Sequence, residues 1–503
     1  MRKKTPIQLQ LTDVKMKNFL YIIVMISIPW VSWGQYSFNM FRSTDVNEEI
    51  SDLEELNDGS FLAVGWEGSP TSPESSRGLI IEITPFGDTV EHKYVLEDKR
   101  LFFAQAHIMN DGKYLIVGSA LNPPEYLHDL FIAKLDTDLT LLDYKTFNFQ
   151  GYPYIYGHQL LETKNGFYIA GFASDPPEYK RHVFIVRIDD SLSIMREKLF
   201  DNLGNGNTTR DIEFSNDSSD LWIFGRGFSN INPAGGETRV VFDTNFNYKY
   251  ANDLGLASGY IDVEWITDTT LLLQTCYPFI EPGPQDQDIG IIETDSSFLI
   301  DSADIHYMGA TDTIDYPAWS QSLDFRHPDS IFYAGDHDVF PWFYPDVYNY
   351  IMVGQLDRSL EPRFEYRFGG DRYYWTSNIL ATSDGGCLVA ASTYDYMTQG
   401  YEKDIYILKL KKEDLITSSP DLRSPGPLNV KLYPNPGLDH FTLNSDLKRG
   451  VFKLYSMEGK LWKSLRVKER KTKIDVPNLP SGIYYYTISS GSQVHESGKW
   501  IKY

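Results

Sequence analysis

The sequence predicts an all-β protein, a seven-bladed β-propeller followed by a small Ig-like antiparallel β-sandwich. Two observations support the propeller: a turn-and-strand pattern recurs along most of the chain, and a second apolar strand follows each copy. A third observation, a reversal of charge near Gly426, sets the last part of the chain apart. At 503 residues the chain is too long for one ordinary domain unless it forms a large repeat or barrel.

The first recurring element is a short turn signal followed by an apolar strand. Four copies are clear: "NDGSFLAVGW" (57–66), "NDGKYLIVGS" (110–119), "KNGFYIAGFA" (164–173) and "SDGGCLVAAS" (383–392). Three are degenerate: "SSDLWIFGRG" (218–227), "TDTTLLLQTC" (267–276) and "PDSIFYAGDH" (328–337). Asn-Gly and Asp-Gly pairs favour turns with positive φ at both central residues, so each copy is predicted to be half of a β-hairpin.

The second recurring element is a continuous apolar strand that leads into a turn, in most copies one that contains Asp. Its copies are 79–88, 130–139, 183–192, 239–248, 289–298, 350–360 and 405–415. The period is 53 residues from Gly65 to Gly118 and again to Gly171. Four strands in each of seven repeats of about 50 residues are typical of a β-propeller, which we expect over residues 35–416.

The two ends of the repeat region predict how the ring closes. The last repeat stops after its third strand, because residues 417–427 ("TSSPDLRSPGP") have the composition of a linker. The segment "YSFNMFR" (36–42) precedes the first full repeat and has the pattern of an orphan fourth strand. Pairing this segment with the last repeat would remove two open sheet edges.

Long aromatic loops are predicted on one face of the ring, where binding sites are usually found. Side chains of these loops could stack on sugar rings or hold a peptide, or they could pack against one another to stabilise the loops. The candidate ligand-binding residues are Trp342, Phe343, Tyr344, Tyr126, Tyr179, Tyr396, Trp319 and Trp375.

A second set of polar residues is predicted to line the central channel. Asp52, Gln105, Gln159 and Asn378 each lie seven residues before the turn glycine of their repeat. Equal offsets on the innermost strands place these side chains at one height around the channel. Such a ring needs no catalytic role, because its side chains can hydrogen-bond to water and to each other. A catalytic site needs paired carboxylates, and only one of the four residues is acidic.

Charge and motifs exclude several classes of protein. The chain has 46 Lys and Arg against 69 Asp and Glu, a net charge of −23, so nucleic acid is not an expected partner. Cys276 and Cys387 form no disulfide framework and no Cys/His cluster, and both are expected to be small buried side chains. Nucleotide, metalloprotease, hydrolase-elbow and calcium-loop motifs are absent from the sequence, and no metal or cofactor is expected.

The N-terminus has the pattern of a secretory signal peptide. Lys17 supplies the positive charge, an apolar stretch runs over 19–31, and Gly34 provides a small residue before Gln35. Residues 1–34 are therefore predicted to be an upstream extension and a cleaved signal, and no transmembrane segment is expected in the mature protein.

The C-terminal 78 residues differ from the rest in charge and rhythm. From Gly426 they contain 13 Lys and Arg against 6 Asp and Glu, a net charge of +7, whereas the whole chain carries −23. Short strands alternate with tight turns in this region. Distinctive residues are Tyr433, Pro434, Asn435 and Pro436, then Gly459 and Lys460, then Gly482, Ile483 and Tyr484, and a final "KWIK" (499–502).

In order, spacing and terminal position these residues resemble the type A C-terminal sorting domain of proteins exported by the type IX secretion system of Bacteroidetes-group bacteria. The resemblance covers 428–503. It implies that the type IX translocon is a partner and that the protein is secreted or displayed on the outer surface of a Gram-negative cell. The repeats more loosely resemble kelch-like and related secreted bacterial propellers, and no functional residues are carried over from them.

The sequence thus predicts a secreted or surface binding or adhesion module that takes a glycan or a protein. The alternatives are a polysaccharide hydrolase or lyase that uses acids such as Asp336, Asp338 or Asp346, and a surface scaffold that presents its loops.

Overall fold

The computed structural model of the chain divides into two compact units, Met1–Thr417 and Ser418–Tyr503. It describes residues 38–69, 72–96, 99–122, 127–175, 180–201, 203, 208–226, 228, 236–256, 262–277, 287–300, 305–309, 313–339, 347–397, 402–415, 431–435, 437–444, 450–456, 460–467, 471–490 and 493–502. The predicted signal segment (1–34) and linker (417–427) lie outside these residues. Within them, no helix has the length and apolarity that a membrane crossing requires.

The first unit consists of consecutive antiparallel sheets. After β1 (Phe38–Arg42), the first sheet contains β2 (Asn47–Glu55), β3 (Phe61–Ser69), β4 (Ser72–Ile83) and β5 (Thr89–Tyr94). An eight-stranded sheet follows, with β6 (Arg100–Ile108), β7 (Tyr114–Asn122), β8 (Leu127–Leu135), β9 (Leu141–Phe147), β10 (Tyr154–Thr163), β11 (Gly166–Asp175), β12 (Lys180–Ile188) and β13 (Ile194–Phe200). Its halves are joined by one parallel pair, Tyr154 with His128.

Four more sheets complete this unit. Two are four-stranded: β14 (Thr208–Phe214), β15 (Asp220–Arg226), β16 (Glu237–Asp243) and β17 (Tyr248–Asp253), then β18 (Asp262–Trp265), β19 (Thr270–Tyr277), β20 (Asp288–Asp295) and β21 (His306–Met308). The next contains β22 (Tyr316–Pro317), β23 (Leu323–His327), β24 (Ser330–His337), β25 (Tyr350–Leu356) and β26 (Pro362–Gly369). The last contains β27 (Tyr373–Ala381), β28 (Cys387–Tyr394) and β29 (Asp404–Leu410) together with β1, and the short helix α1 (Lys412–Leu415) follows it.

Burial explains the continuous apolar runs of the sequence. The second and third strands of each sheet are covered on both faces, and β7 has no exposed residue. The fourth strands are more exposed, as along β13. One apolar cluster joins each sheet to the next, and another joins the first sheet to the last through Ile50, Leu53, Leu388 and Ala390. The unit is therefore a closed β-propeller.

The N-terminal strand supplies the closure. β1 pairs antiparallel with β29 along its whole length, from Phe38 opposite Lys409 to Arg42 opposite Ile405. This is the pairing that we expected of the segment 36–42, of which residues 36 and 37 lie outside the description. The predicted strand over 405–415 ends at Leu410, where the chain turns into α1.

The hairpin turns differ in one respect from the prediction. Gly59, Gly112 and Gly385 have φ of 81°, 80° and 79°, whereas the residues before them do not adopt positive φ. The turn therefore closes around one left-handed glycine, with the Gly59 N–H donating to the Leu56 carbonyl over 2.9 Å. The Asn-Gly and Asp-Gly signals located the hairpins correctly, but the predicted pair of positive-φ residues is wrong.

Turns into the fourth strands place an apolar residue in the left-handed region. These residues are Leu139, Leu192, Phe246, Phe298 and Leu360, each three residues after an Asp, and all are buried. In all five turns the Asp side chain accepts at least one turn N–H, as Asp243 does from Asn245 and Asn247. Burial of the apolar side chain and these hydrogen bonds offset the backbone strain.

The second unit is built from two sheets. One contains β30 (Lys431–Tyr433), β31 (His440–Asn444) and β34 (Lys471–Asp475), and the other contains β32 (Gly450–Ser456), β33 (Leu461–Val467), β35 (Gly482–Ser490) and β36 (Gln493–Lys502). Side chains of both sheets share one core, in which Phe441 lies 4.6 Å from the Trp500 ring and Phe452 is fully buried.

Candidate functional site: an aromatic and acidic central channel

Each innermost strand, or the residues that enter it, contributes a polar–apolar–polar triplet to the channel, except where a leucine replaces the last polar residue. The triplets are 52–54, 105–107, 159–161, 211–213, 262–264, 322–324 and 378–380. Alternation along a strand sends the middle residue to one face of its sheet and the flanking residues to the other. The middle residue packs against the preceding sheet, as Leu53 does in the cluster with Leu388.

The first residue of a triplet binds the backbone of the next innermost strand around the ring. The Ala106 N–H donates to Asp52 Oδ2, the Leu160 N–H to Gln105 Oε1 and the Val263 N–H to Asp211 Oδ2, each over 2.7 Å. In five of the seven triplets a β-bulge directly precedes this residue, which frees backbone groups from the ladder. These side chains therefore link neighbouring sheets around the ring.

Three triplets depart from this pattern. In the triplet 322–324 the third residue makes the link, since Asp324 Oδ2 accepts the Ala381 N–H, whereas the Ser322 hydroxyl donates to Gln274 of the preceding sheet. Gln159 Nε2 donates to the Arg210 carbonyl instead of accepting an N–H.

Asn378 is 1% exposed, and its Oδ1 accepts no hydrogen bond from any residue that the structure describes. Asn378 Oδ1 therefore makes no link to the first sheet, which is joined to the last by other groups, such as the Ser383 N–H that donates to Glu55.

A cavity of about 1020 Å³ occupies the channel and opens where the innermost strands begin. All four residues of the predicted channel ring, Asp52, Gln105, Gln159 and Asn378, line it. Asp211 and Asp262 occupy the same triplet position and line the cavity as well. The turn-glycine offset missed these two because their repeats have lost that glycine, whereas the recurrence of Asp-apolar-Glu at 52–54, 211–213 and 262–264 could have identified them.

One side of the cavity is a continuous series of rings, which we call the aromatic wall: Trp66, Phe102, His128, Tyr156 and Phe172. Neighbouring ring centroids lie 5.2, 6.4, 4.8 and 5.0 Å apart in that order. The Arg181 guanidinium stacks on the Phe172 ring at 4.8 Å. Burial lowers the pKa of His128, which keeps the imidazole neutral at pH 7.

Another side is the acidic wall, which consists of Asp211, Glu213, Asp262 and Glu264. Burial raises the pKa of Glu213 to about 7 and that of Asp262 to about 6. The pKa values of Asp211 and Glu264 lie well above the usual range, because burial and the neighbouring carboxylates both disfavour the charged form. In the part of the chain that the structure describes, no three His, Cys, Asp or Glu side chains are grouped so that they could hold a metal ion.

Three of the eight predicted aromatic binding residues lie within the described residues. Trp319 is 41% exposed and lines the cavity, with the Arg210 guanidinium 4.7 Å above its ring. Trp375 lies 5.9 Å from Trp319 and packs, with Tyr396, against a small cluster that is separate from the cavity lining. The others fall outside the description: Trp342, Phe343, Tyr344, Tyr126 and Tyr179.

Of the acids suggested for a hydrolase, Asp336 is 3% exposed and its carboxylate accepts hydrogen bonds from the N–H and the hydroxyl of Thr376. Asp338 adopts a left-handed conformation with φ of 57° at the end of β24, and Asp346 lies outside the description. Neither Asp336 nor Asp338 is part of the cavity lining.

In the second unit, the distinctive tail residues lie against the final strand. Asn435 donates from Nδ2 to the Lys499 carbonyl over 2.8 Å and accepts the Ile501 N–H over 2.9 Å, so its amide replaces a neighbouring strand. The Trp500 indole donates to the Pro434 carbonyl over 3.0 Å. The Tyr484 hydroxyl donates to the Pro480 carbonyl over 2.6 Å. Tyr433 is exposed, Gly482 has φ of 157°, and Lys460 lies 4.7 Å from the Trp462 ring.

Pro436, Gly459 and the Ile483 side chain lie outside the description. The Asn435 and Pro434 contacts explain why the Pro-Asn-Pro segment and the terminal Lys-Trp-Ile-Lys occur together in the sequence, because each completes the hydrogen bonding of the other.

The fold and the tail together define the class: an all-β chain with a propeller and a separate C-terminal export module. Residues 431–503 match the family described as the secretion system C-terminal sorting domain. This confirms the resemblance found in the sequence, and the chain is a cargo of the type IX secretion system, destined for export.

Comparison with curated proteins found no match. Among solved structures, the chain is similar to a puromycin hydrolase (11% identity, TM-score 0.45, 80% of this chain and 59% of that one). It is also similar to the β-propeller domain of the Trilobed protease from Pyrococcus furiosus (9%, 0.39, 75% and 100%). A third is PorZ, a surface component of the type IX secretion system of Porphyromonas gingivalis (9%, 0.26, 91% and 82%). At these TM-scores the likenesses carry no argument about function.

Proposed function

We propose that this exported chain is a binding or adhesion module that takes a glycan or a protein segment at the mouth of its central channel. The observation that carries the proposal is the aromatic wall, in which five rings from Trp66 to Phe172 are in continuous contact beside a cavity of about 1020 Å³. Concave cavities of roughly this size, lined by aromatic side chains together with polar groups that orient a ligand, are typical binding sites.

The proposed scaffold is a seven-bladed propeller, in which the eight-stranded sheet counts as two blades because one pair of residues joins its halves. The proposed tail is an Ig-like sandwich formed by its two sheets. In this proposal the mature protein begins near Gln35 and acts outside a Gram-negative cell, either free or held at the outer surface, after the type IX translocon has recognised the tail.

Trp319 is the best residue with which to test the site, because it is exposed, lines the cavity and lies 5.9 Å from the Trp375 ring. The full chain is screened against glycan and peptide arrays, and Trp319→Ala is compared with Trp462→Ala, an exposed tryptophan of the second unit. We expect the native chain and Trp462→Ala to retain a common ligand and Trp319→Ala to lose about tenfold or more in affinity. Equal binding by both variants would exclude the cavity mouth as the site.

A polysaccharide hydrolase or lyase is the second candidate, and the acidic wall is the observation that favours it. Burial raises the pKa of Glu213 to about 7, so a substantial fraction of this carboxyl is protonated at neutral pH and can serve as a general acid. Release of reducing ends from a bound polysaccharide, abolished by Glu213→Gln, would support this role over simple binding.

A further inference from the structure

The cavity brings together two surfaces that the binding proposal does not by itself explain. The aromatic wall comes from the first sheet and from the β6–β13 sheet, whereas the acidic wall comes from β14 and β18. The lining contains six carboxylates against two arginines. Both arginines stack on aromatic rings at the cavity, Arg181 on Phe172 at 4.8 Å and Arg210 on Trp319 at 4.7 Å.

The four carboxylates of the acidic wall lie in two tiers along their strands. Asp211 and Asp262 occupy the first position of their triplets, and Glu213 and Glu264 occupy the third, about 7 Å further along the strand at the usual rise per residue. The aspartates at the first position accept hydrogen bonds from backbone N–H groups of the next sheet, over 2.7 to 3.0 Å. The glutamates at the third position accept no backbone N–H of the next sheet. Glu264 makes a 3.5 Å contact with Gln321 Nε2, and Glu213 accepts the N–H of its own neighbour, Phe214.

Two further groups at this cavity point to a missing hydrogen-bond partner. Asn378 is 1% exposed and Thr209 is 3% exposed, and both line the cavity. Neither Asn378 Oδ1 nor Thr209 Oγ1 has a hydrogen-bond partner among the described residues. A buried polar oxygen without a partner is costly, so a bound group that donates hydrogen bonds would satisfy it.

These features define the chemistry of a ligand. It carries several N–H donors, it is positively charged at more than one point, and it has apolar stretches that can lie on aromatic rings. The spread of the carboxylates over two tiers argues against a compact metal ion, in agreement with the absence of a metal-type cluster among the described residues.

We propose that the central channel binds a linear aliphatic polyamine, with ammonium groups on the acidic wall and at Asn378 and methylene segments along the aromatic wall. This inference concerns the same cavity as the proposed function and goes beyond it, because a polyamine is neither a glycan nor a protein segment. Binding brings cations to carboxylates that otherwise repel one another, and it supplies donors to both unpartnered oxygens.

The test is titration calorimetry of the full chain with spermine at about 0.15 M ionic strength, where diffuse surface attraction is screened. We expect one saturable site per chain. The double variant Glu213→Gln/Glu264→Gln removes two carboxyls that a bound cation would favour in the charged form. It removes no link between sheets, and we expect about 30-fold weaker binding. Glu197→Gln, an exposed acid on β13, removes surface charge and should bind as the native chain does.

Several outcomes would overturn the inference. One is non-saturable binding, or binding that Glu197→Gln weakens as much as the double variant does, because the spermine would then be responding to overall negative charge. Another is tighter binding of a Lys-rich peptide that spermine fails to displace, which would assign the channel to a protein ligand.

The inference and the proposed function fail in different ways. If the array ligand binds through Trp319 but spermine does not bind, the function stands and the polyamine is wrong. If neither binds to a chain shown to be folded, both fail.

Discussion

Two parts of the propeller ring present different surfaces to the same channel. The innermost strands β6 and β10 contribute Gln105 and Gln159 beneath the aromatic wall, and neither triplet contains a carboxylate. The strands β14 and β18 contribute the four carboxylates of the acidic wall. All four strands have the same role in the ring, since each joins one sheet to the next.

The difference shows which part of a repeat the fold requires and which part it leaves free. Asp52, Gln105, Asp211 and Asp262 all present an oxygen to a backbone N–H of the next innermost strand, so the acceptor is required and the charge is not. At the third position of the triplet the strands differ. Asp324 accepts the Ala381 N–H there, whereas Glu213 and Glu264 accept no backbone N–H of the next innermost strand, so their charge is free to serve a ligand.

The largest expected effect comes from breaking the closure on which both walls depend. Arg42, at the end of β1, pairs with Glu48, Glu67 and Glu91, and the first two of these are almost completely buried. Arg42→Ala leaves their carboxylates without this cation, so we expect a loss of about 3–5 kcal/mol in the free energy of unfolding, measured by urea denaturation.

Arg77→Ala is the matched control for that change. Arg77 also contacts Glu67, but its side chain is 40% exposed, and we expect a loss below about 1 kcal/mol. Similar losses for the two variants would show that Arg42 is not the residue that holds the closing strand.

The second-largest expected effect is a pH dependence of stability that arises from the acidic wall. The folded pKa of Glu213, about 7, lies above the value of an unfolded glutamate, so the folded state binds more protons between about pH 4.5 and 7. The stability of the native chain therefore falls as pH rises through this window, by on the order of 2–3 kcal/mol for one such carboxylate. Relative to native, Glu213→Gln/Glu264→Gln should gain stability at about pH 8 and little at about pH 4.5.

Thermal or urea unfolding of the native chain and the double variant across this pH range measures the difference in their stability. The contributions of carboxylates elsewhere in the chain are the same in both proteins and cancel in this difference. A difference that is independent of pH would mean that the acidic wall carries no buried charge.

The smallest effect compares the two sides at the same triplet position. Gln105→Leu removes the acceptor of the Leu160 N–H, and we expect it to destabilise the chain by about 1–3 kcal/mol. Asp211→Asn keeps an acceptor for the Val263 N–H and removes a repelled charge, so its stability should equal or exceed that of the native chain at neutral pH. If Asp211→Asn costs as much as Gln105→Leu, charge at this position is structural after all.

Much of the ring could be predicted because its turns leave local signals. The turn glycines Gly59, Gly112 and Gly385 were predicted from Asp-Gly pairs, and all three have positive φ. The cavity residues Asp52 and Gln105 followed from a fixed offset to these glycines. Asp211 and Asp262 have no turn glycine, and the Asp-apolar-Glu recurrence that marks them was missed.

The aromatic wall was not predicted, because its members lie within strands instead of loops. Trp66, Phe102 and Phe172 have the same local pattern as core residues. Their position at the mouth of a cavity depends on where each strand leaves the packed interface. The predicted aromatic residues were assigned to loops. Of the three that the structure describes, Trp319 lies at the cavity, whereas Trp375 and Tyr396 pack beside it.

By itself the sequence determined the repeat, the order of the strands and the address of the protein, because turn chemistry, strand periodicity and the tail motif are local. The tertiary structure decided that rings from the first two sheets and carboxylates from β14 and β18 share one cavity, and that Asn378 Oδ1 is buried there without a partner. Those relations join residues more than 300 positions apart, and they arise only when the sheets close around a common axis.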